Sequence, residues 1–316
     1  MVETFRHFTL DQLGDGVWAV LHRTAPPAPD AWAVSNAGIV DLGDRTLVFD
    51  TLMSPDAARE LRRAAGELTG RLPDVVVYSH AHNDHTWGGS VFPEATIVSS
   101  GQARAAMVAE GHLEVADFRD VVTDRLAFWA DAASSDDPIV RQDAPFFLPY
   151  WNAVAAALPT LDLRYPDVTF DDRLELHGRD RRVELVASDR AHAAGDTFLL
   201  VPDARVAFCG DLLFVGCHPF LGDGDVGGLR ASLRTLEMRG ADRFVPGHGP
   251  VGGAAELGVL ARYVDDVEQL GAAGEAGGAI PDPYRSWGLA RFFAPNVEFC
   301  AGGGRQPEAA PGDQAG

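Results

Sequence analysis

The residues best suited to chemistry stand together in one short run, His80-Ala81-His82-Asn83-Asp84-His85. Four side chains that bind divalent cations fall within six positions, in a chain of 316 residues with only 10 histidines. On a strand or extended loop, residues two apart point the same way, so His80 and His82 can grip one ion. The turn after them can aim Asp84 and His85 at a second position nearby, with Gly88-Gly89 allowing a sharp return of the backbone. Imidazole and carboxylate suit zinc, and they also suit iron or manganese. Three later segments each bring a ligand type to the end of a predicted strand. These are His192 in Arg190-Ala191-His192-Ala193-Ala194-Gly195-Asp196, Asp211 in Phe208-Cys209-Gly210-Asp211, and His248 in Pro246-Gly247-His248-Gly249-Pro250. Nearby glycines permit close approach of the backbone in each.

The elements that must carry these residues are legible from periodicity. Phe8 to Arg23 reads as strand with a break at Gly14-Asp15-Gly16, and Gly38 to Leu42 with Thr46 to Asp50 as a hairpin around Gly43-Asp44. Ser54 and Pro55 suit the cap and first position of a helix that passes through Leu61 and Leu68 and stops at Gly70. Val75 to Tyr78 is a short β-branched run that predicts a buried strand delivering the chain to His80, and Ala95 to Ser99 predicts the next strand. Residues 101 to about 165 carry helical patterns and an aromatic cluster (Phe128, Trp129, Phe146, Phe147, Tyr150, Trp151), the mark of an insertion within one domain spanning 1–300. Those rings form the insertion's own core or the roof of a pocket. Strands are then predicted at Val168 to Leu176, Arg182 to Ala187, Thr197 to Val201, Val206 to Cys209 and Phe244-Val245, with helices at about 228–239 and 254–270. Two halves that each cover a sheet with helices give a four-layer sandwich. Residues 301–316 are too poor in apolar groups to pack and are expected to be disordered.

The formal net charge of −20 opposes binding to nucleic acid and to anionic membranes, since phosphate recognition relies on clustered Lys and Arg. It leaves small anionic substrates open, because bound divalent cations reverse the local field. No apolar stretch is long enough to span a bilayer and the N-terminus lacks the order of a secretory signal, so a cytoplasmic protein is expected. Three cysteines (Cys209, Cys217, Cys300) without C-x-x-C spacing predict neither a disulfide framework nor a cysteine-based zinc site.

Taken in order, the H-x-H-x-D-H run, the later His before Gly-Asp, the Gly-Asp at a strand end and the Pro-Gly-His-Gly-Pro turn resemble the metallo-β-lactamase superfamily over about residues 8 to 262, the insertion excepted. The resemblance implies an α+β four-layer αββα sandwich with the site along one edge of its sheets. It implies His80, His82 and His192 on a first metal, Asp84, His85 and His248 on a second, and Asp211 bridging both, with two Zn2+ as cofactors and Fe or Mn as alternatives. Asp50 matches the carboxylate that these proteins place at the end of an early strand, behind the ligands. A bridging Asp211 is similar to the thioesterase, lactonase and phosphodiesterase branches, whereas true β-lactamases usually lack it. Phe214 stands where quorum-signal lactonases carry Tyr, and there is no basic cluster like that of glutathione-thioester hydrolases.

A water shared by two cations loses a proton near neutral pH, as one zinc alone brings water's pKa to about 7. The expected activity is hydrolysis of an ester-like bond (ester, lactone, thioester or amide) in a small molecule by a metal-bridging hydroxide, with Asp84 orienting it and accepting its proton. The alternatives are a phosphodiesterase on the same site and a mono-iron oxidoreductase similar to persulfide dioxygenases, using His80, His82 and His192. Trp151, Phe214 and His218 are candidate substrate contacts, His218 because it follows Asp211 on the loop leaving the site. His7, His22, His112 and His177 are expected at the surface.

Overall fold

Short β-branched runs between glycine and aspartate turns give the strands of two sheets, seen in a computed structural model that describes residues 5–23, 31–110 and 115–305. The first seven strand and helix elements after the N-terminus are β1 (Phe8–Gly14), β2 (Val17–His22), β3 (Ala37–Asp41), β4 (Thr46–Phe49), α1 (Pro55–Thr69), β5 (Val75–Val77) and α2 (Asn83–Thr86). They are followed by β6 (Thr96–Ser100), α3 (Gly101–Glu110), α4 (Val115–Asp131), α5 (Pro138–Ala157), β7 (Val168–Phe170) and β8 (Arg173–His177). The chain continues through β9 (Arg182–Ala187), β10 (Thr197–Val201), β11 (Val206–Phe214), α6 (Val226–Met238), β12 (Arg243–His248), α7 (Ala254–Ala273) and α8 (Phe293–Ala301).

The first sheet has the order β1-β2-β3-β4-β5-β6-β7, antiparallel up to β4 and parallel beyond it. The second has the order β12-β11-β10-β9-β8, with β11 and β12 parallel. Between them lies a layer of Val40, Phe49, Val77, Val98, Leu185, Leu199, Phe208 and Val245. The outer face of the first sheet is covered by α1, through Ala57, Leu61 and Ala64, and each such leucine burial stabilises by about 2 kcal/mol. That of the second is covered by α6, α7 and α8 through Leu229, Leu233, Leu260, Val264 and Val297. The result is the four-layer αββα order. Parallel strands buried on both faces explain why β5 is an unbroken Val-Val-Val.

The helix signals act as their chemistry predicts. Ser54 Oγ accepts from the Ala57 N–H, Pro55 opens α1, and Gly70 closes it in the left-handed region at φ 75°. Asp137 caps α5 by accepting from the N–H groups of Ile139 and Val140. No helix among the described residues is long and apolar enough to cross a membrane.

The structure differs from the sequence reading in four places. The run Val168 to Leu176 is two strands, parted at Asp171-Asp172, and β7 ends one sheet while β8 begins the other. Its alternating apolar residues look alike on either side of the switch. The strand expected to stop at Cys209 runs on to Phe214, shifting register at Gly210, whose φ is 52°. Helix α8, with Pro295 inside it, has no clear helical signal of its own and forms by packing against α7, where the backbone of Ala301 comes close to Gly271. Part of the stretch expected to be disordered packs on the fold: Gly304 O accepts from Val226 N at 2.9 Å and Arg305 pairs with Asp225 at 3.3 Å, while 306–316 lie outside the described residues.

Candidate metal centre

The first histidines leave β5 on the short stretch before α2, with His82 at the helix cap in extended backbone. His80 and His82 therefore point alike, and their Nε2 and Nδ1 atoms lie 2.9 Å apart. From the second sheet, the loop before β10 brings His192 Nε2 to 3.0 Å from the same His82 Nδ1. The protons sit outward, because His80 Nδ1 meets Ser79 Oγ at 2.9 Å and His82 Nε2 meets Asp223 Oδ2 at 3.1 Å. His80 Nε2 and His82 Nδ1 then turn lone pairs toward each other beside His192 Nε2, an arrangement that a cation would relieve. Burial pushes the His80 imidazolium well below its ordinary pKa and His192 to about 4, so both stay neutral donors.

Beside this trio stand Asp84, His85 and His248. Asp84 Oδ2 is 3.3 Å from His248 Nε2 and 3.6 Å from His85 Nε2. Asp211, at the midpoint of the extended β11, touches both sets: its carboxylate oxygens lie 3.2 Å from His85, 3.3 Å from His192, 3.5 Å from His248 and 3.9 Å from His80. The seven side chains thus fall into two groups that could each hold an ion, His80-His82-His192-Asp211 and Asp84-His85-His248. Burial pushes the Asp84 carboxyl up, and the charges of His85 and His248 more than offset it and hold it at about 2. Burial likewise works against a charge on His248, and Asp211 and Asp84 nonetheless hold it at about 9. Positive charge is drawn to this spot.

Several of these side chains are held from behind. Asp50, buried and at φ 61°, accepts from Ser79 N–H at 2.7 Å and Ser79 Oγ at 2.8 Å, and faces His85 Nδ1 at 2.8 Å. Asp196 Oδ2 accepts from the N–H groups of Ala191, His192 and Ala193, which fixes the loop that aims His192. Asn36 Nδ2 donates to Pro246 O and Gly249 O on either side of His248, each at 2.9 Å.

A family model described as "Metallo-beta-lactamase superfamily" matches residues 30–248. The chain belongs to the metallo-β-lactamase superfamily. A curated relative, the 2,4-dinitroanisole O-demethylase subunit alpha of Nocardioides sp. (strain JS1661), is 24% identical over 238 residues. That alignment spans 73% of this chain and 58% of the relative, so the chain covers little more than half of its length. Among solved structures, a metallo-β-lactamase from Pontibacter korlensis is similar with TM-score 0.59 at 16% identity, over 82% of this chain and 100% of that one. The metallo-β-lactamase FIM-1 from Pseudomonas aeruginosa, in a mono-zinc form, has TM-score 0.58 at 14% identity, over 82% and 96%. A metallo-β-lactamase from Erythrobacter litoralis has TM-score 0.57 at 16% identity, over 84% and 100%. At such identities these structures speak for the fold alone.

On the superfamily's sandwich, a cavity of about 590 Å³ opens over the cluster. The insertion roofs it, so its rings serve both as the insertion's core and as cavity wall: Phe146, Phe147, Tyr150 and Trp151 all line it. Phe214 lines it too, stacked on His248 with centroids 5.2 Å apart. His218 does not. Its side chain turns into the core, with Nδ1 3.0 Å from the Tyr263 hydroxyl and Trp287 and Phe293 around it. Position along the loop does not set the direction of a side chain, and here the apolar wall under α7 claimed it. His7 is also buried, 2.8 Å from Glu60, and His22 is half-buried, its Nε2 accepting from Gly249 N–H at 3.4 Å. His177 is exposed, and His112 lies outside the described residues. Sequence reading passed over Asp223 and took Asp196 only as part of the Gly-Asp pattern after His192, although glycine flanks each of them as it flanks Asp211.

Two predictions follow from this packing. A Cβ on Gly247 would meet Asp211 Oδ1 at 1.8 Å and the carbonyl carbon of Gly210 at 2.9 Å. Gly247→Ala therefore displaces the shared carboxylate and lowers divalent-metal affinity about tenfold, read by chelator competition; wild-type affinity would contradict the placement of Asp211. Burial lowers His218 from 6.5 to about 4. The folded state thus favours the neutral ring, and this contribution is complete above pH 6.5 and lost as pH falls toward 4. His218→Phe should remove roughly 2 kcal/mol of that acid-side loss between about pH 7 and 4.5. Urea unfolding of chelator-treated wild type and variant at pH 7 and 4.5 measures it, and parallel losses would count against it.

Proposed function

We propose that the protein is a dinuclear metal-dependent hydrolase, with two zinc ions, that cleaves an ester-like bond (ester, lactone, thioester or amide) in a small molecule in the cytoplasm. The observation that carries this reading is Asp211, whose carboxylate lies within 4 Å of histidines from both ligand groups and so suits a pair of ions rather than one. Bound divalent cations would supply a hydroxide at neutral pH and polarise the scissile group's oxygen. His80, His82 and His192 would hold one ion and Asp84, His85 and His248 the other. Asp84, which lines the cavity, orients the attacking water by accepting its hydrogen bond and takes up its proton as the leaving group departs. The aromatic roof excludes water around the rest of the substrate. The chain's acidity speaks against a nucleic-acid phosphodiester.

Metal analysis together with a panel of chromogenic esters, thioesters, lactones, cephalosporins and phosphodiesters, run with and without chelator, tests the reading. About two zinc per chain and chelator-sensitive ester hydrolysis are expected; one iron per chain would favour the oxidoreductase alternative. A second reading is hydrolysis of an activated aryl methyl ether to phenolate and methanol, in which water supplies the oxygen and a proton. It draws on the relative's name and on the ring-lined cavity. Release of 2,4-dinitrophenolate and methanol from 2,4-dinitroanisole would establish it.

A further inference from the structure

All 26 basic residues of the chain are arginine, against 46 acidic ones, and most described arginines are paired: Arg62 with Glu94, Arg205 with Asp242, Arg230 with Asp265 and Arg239 with Glu184. Two arginines line the cavity, Arg125 on α4 and Arg291 on the turn before α8. Among the described residues neither has an ion-pair partner, in a molecule with carboxylates to spare. The guanidinium of Arg291 lies over the rings of Phe147 and Trp129, 4.8 and 5.2 Å from their centroids, which holds it at the wall. Asp143 on α5 is close by, but its two oxygens take the backbone N–H groups of Ala290 and Arg291, at 3.0 and 2.7 Å. Burial, and then the like charge of Arg125, pull the Arg291 pKa below its usual value, and the nearby charge of Asp143 offsets this only in part.

The cavity is polarised. Its carboxylates, Asp84, Asp211 and Asp223, all sit against the histidines of the cluster, and among the described residues neither guanidinium pairs with them. Between the two ends runs an apolar floor of successive ring contacts. His82 to Phe220 is 6.4 Å, Phe220 to Phe292 is 5.5 Å, and Phe292 to Phe147 is 5.9 Å, with Arg291 over the last ring.

We infer that Arg291, with Arg125, recognises an anionic group at the far end of the substrate, so that the substrate is an amphipathic carboxylate whose apolar, ring-sized body spans the floor to the ligand cluster. This rests on the proposed hydrolase reading for which bond is broken, and on the cavity alone for what is bound. An unpaired guanidinium on an aromatic bed offers a carboxylate two parallel donors, and the flanking apolar wall strengthens that bond by excluding water.

The test is binding of 2-naphthoate and of its neutral isostere 2-naphthamide to the full chain, read by quenching of tryptophan fluorescence after chelator treatment, so that metal at the cluster cannot capture the carboxylate. The wild type should bind the naphthoate about tenfold more tightly, a preference that shrinks with added salt. Arg291→Met, which keeps an unbranched apolar chain on the two rings, should bring the ratio near one, and Arg125→Met should lower it in part. No preference in the wild type, or the same preference in Arg291→Met, would overturn the inference. Should Arg291→Met fail to fold by circular dichroism, the wild type still decides, since a preference indifferent to salt overturns it as well. An inactive substrate panel with the binding preference intact would remove the hydrolase reading and leave this one; ester hydrolysis with no preference would do the reverse.

Discussion

Replacing Asp84 with Ala is expected to lower kcat by about 1,000-fold, measured at saturating metal on whichever substrate the panel identifies. The proposed mechanism gives Asp84 two tasks. Its Oδ2 faces His248 at 3.3 Å and His85 at 3.6 Å, and its side chain also lines the cavity. A residue that only held an ion would be replaceable by excess metal, with kcat restored once both positions filled. A residue that also orients water and accepts its proton cannot be rescued that way. Metal content and kcat must therefore be measured on the same sample. A variant with both ions and near-wild-type turnover would refute the role given to Asp84.

Much of this site was legible because its signal is local. His80, His82, Asp84 and His85 need only a strand, a bend and one helical turn to face the same space, and β5 with α2 supplies them. Asp211 interrupts and His248 ends a strand of the second sheet, where backbone geometry fixes direction, and His192 stands in the loop before β10, which Asp196 pins. Residues whose role depends on side-chain direction within irregular chain were harder. His218 follows Asp211 closely, yet packs against Tyr263, and Phe214 faces the cavity because β11 runs on past Gly210. Arg125 and Arg291 are separated by the whole of the second sheet in sequence and come to one cavity through the packing of α5 against the C-terminal turn, pinned by Asp143. No periodicity in the chain encodes that meeting. The sheet switch at Asp171-Asp172 was lost for a related reason: a period-2 pattern says which face is buried but not which sheet does the burying.

Asp50→Asn separates the fold from the metal site, because it keeps the shape of the side chain and changes only its charge and its donors. In the wild type the Asp50 carboxylate accepts from Ser79 N–H, Ser79 Oγ–H and His85 Nδ1–H at 2.7 to 2.8 Å, so that with a cation bound, His85 would keep its proton on Nδ1 and offer the Nε2 lone pair between Asp84 and Asp211. An asparagine can still accept from the Ser79 backbone through its oxygen. Its amide nitrogen then donates toward His85, which moves the imidazole proton to Nε2 and points an N–H where a ligand atom is required. Ser79 Oγ also loses its acceptor, and with it the contact that orients His80. Divalent-metal affinity at the Asp84-His85-His248 group should fall about 100-fold, while the chelator-treated variant loses about 2 kcal/mol of stability or less. Chelator competition and urea unfolding on the same preparations distinguish the two effects. Wild-type affinity for both ions in Asp50→Asn would mean that the tautomer of His85 is set by the metal itself and not by the carboxylate behind it.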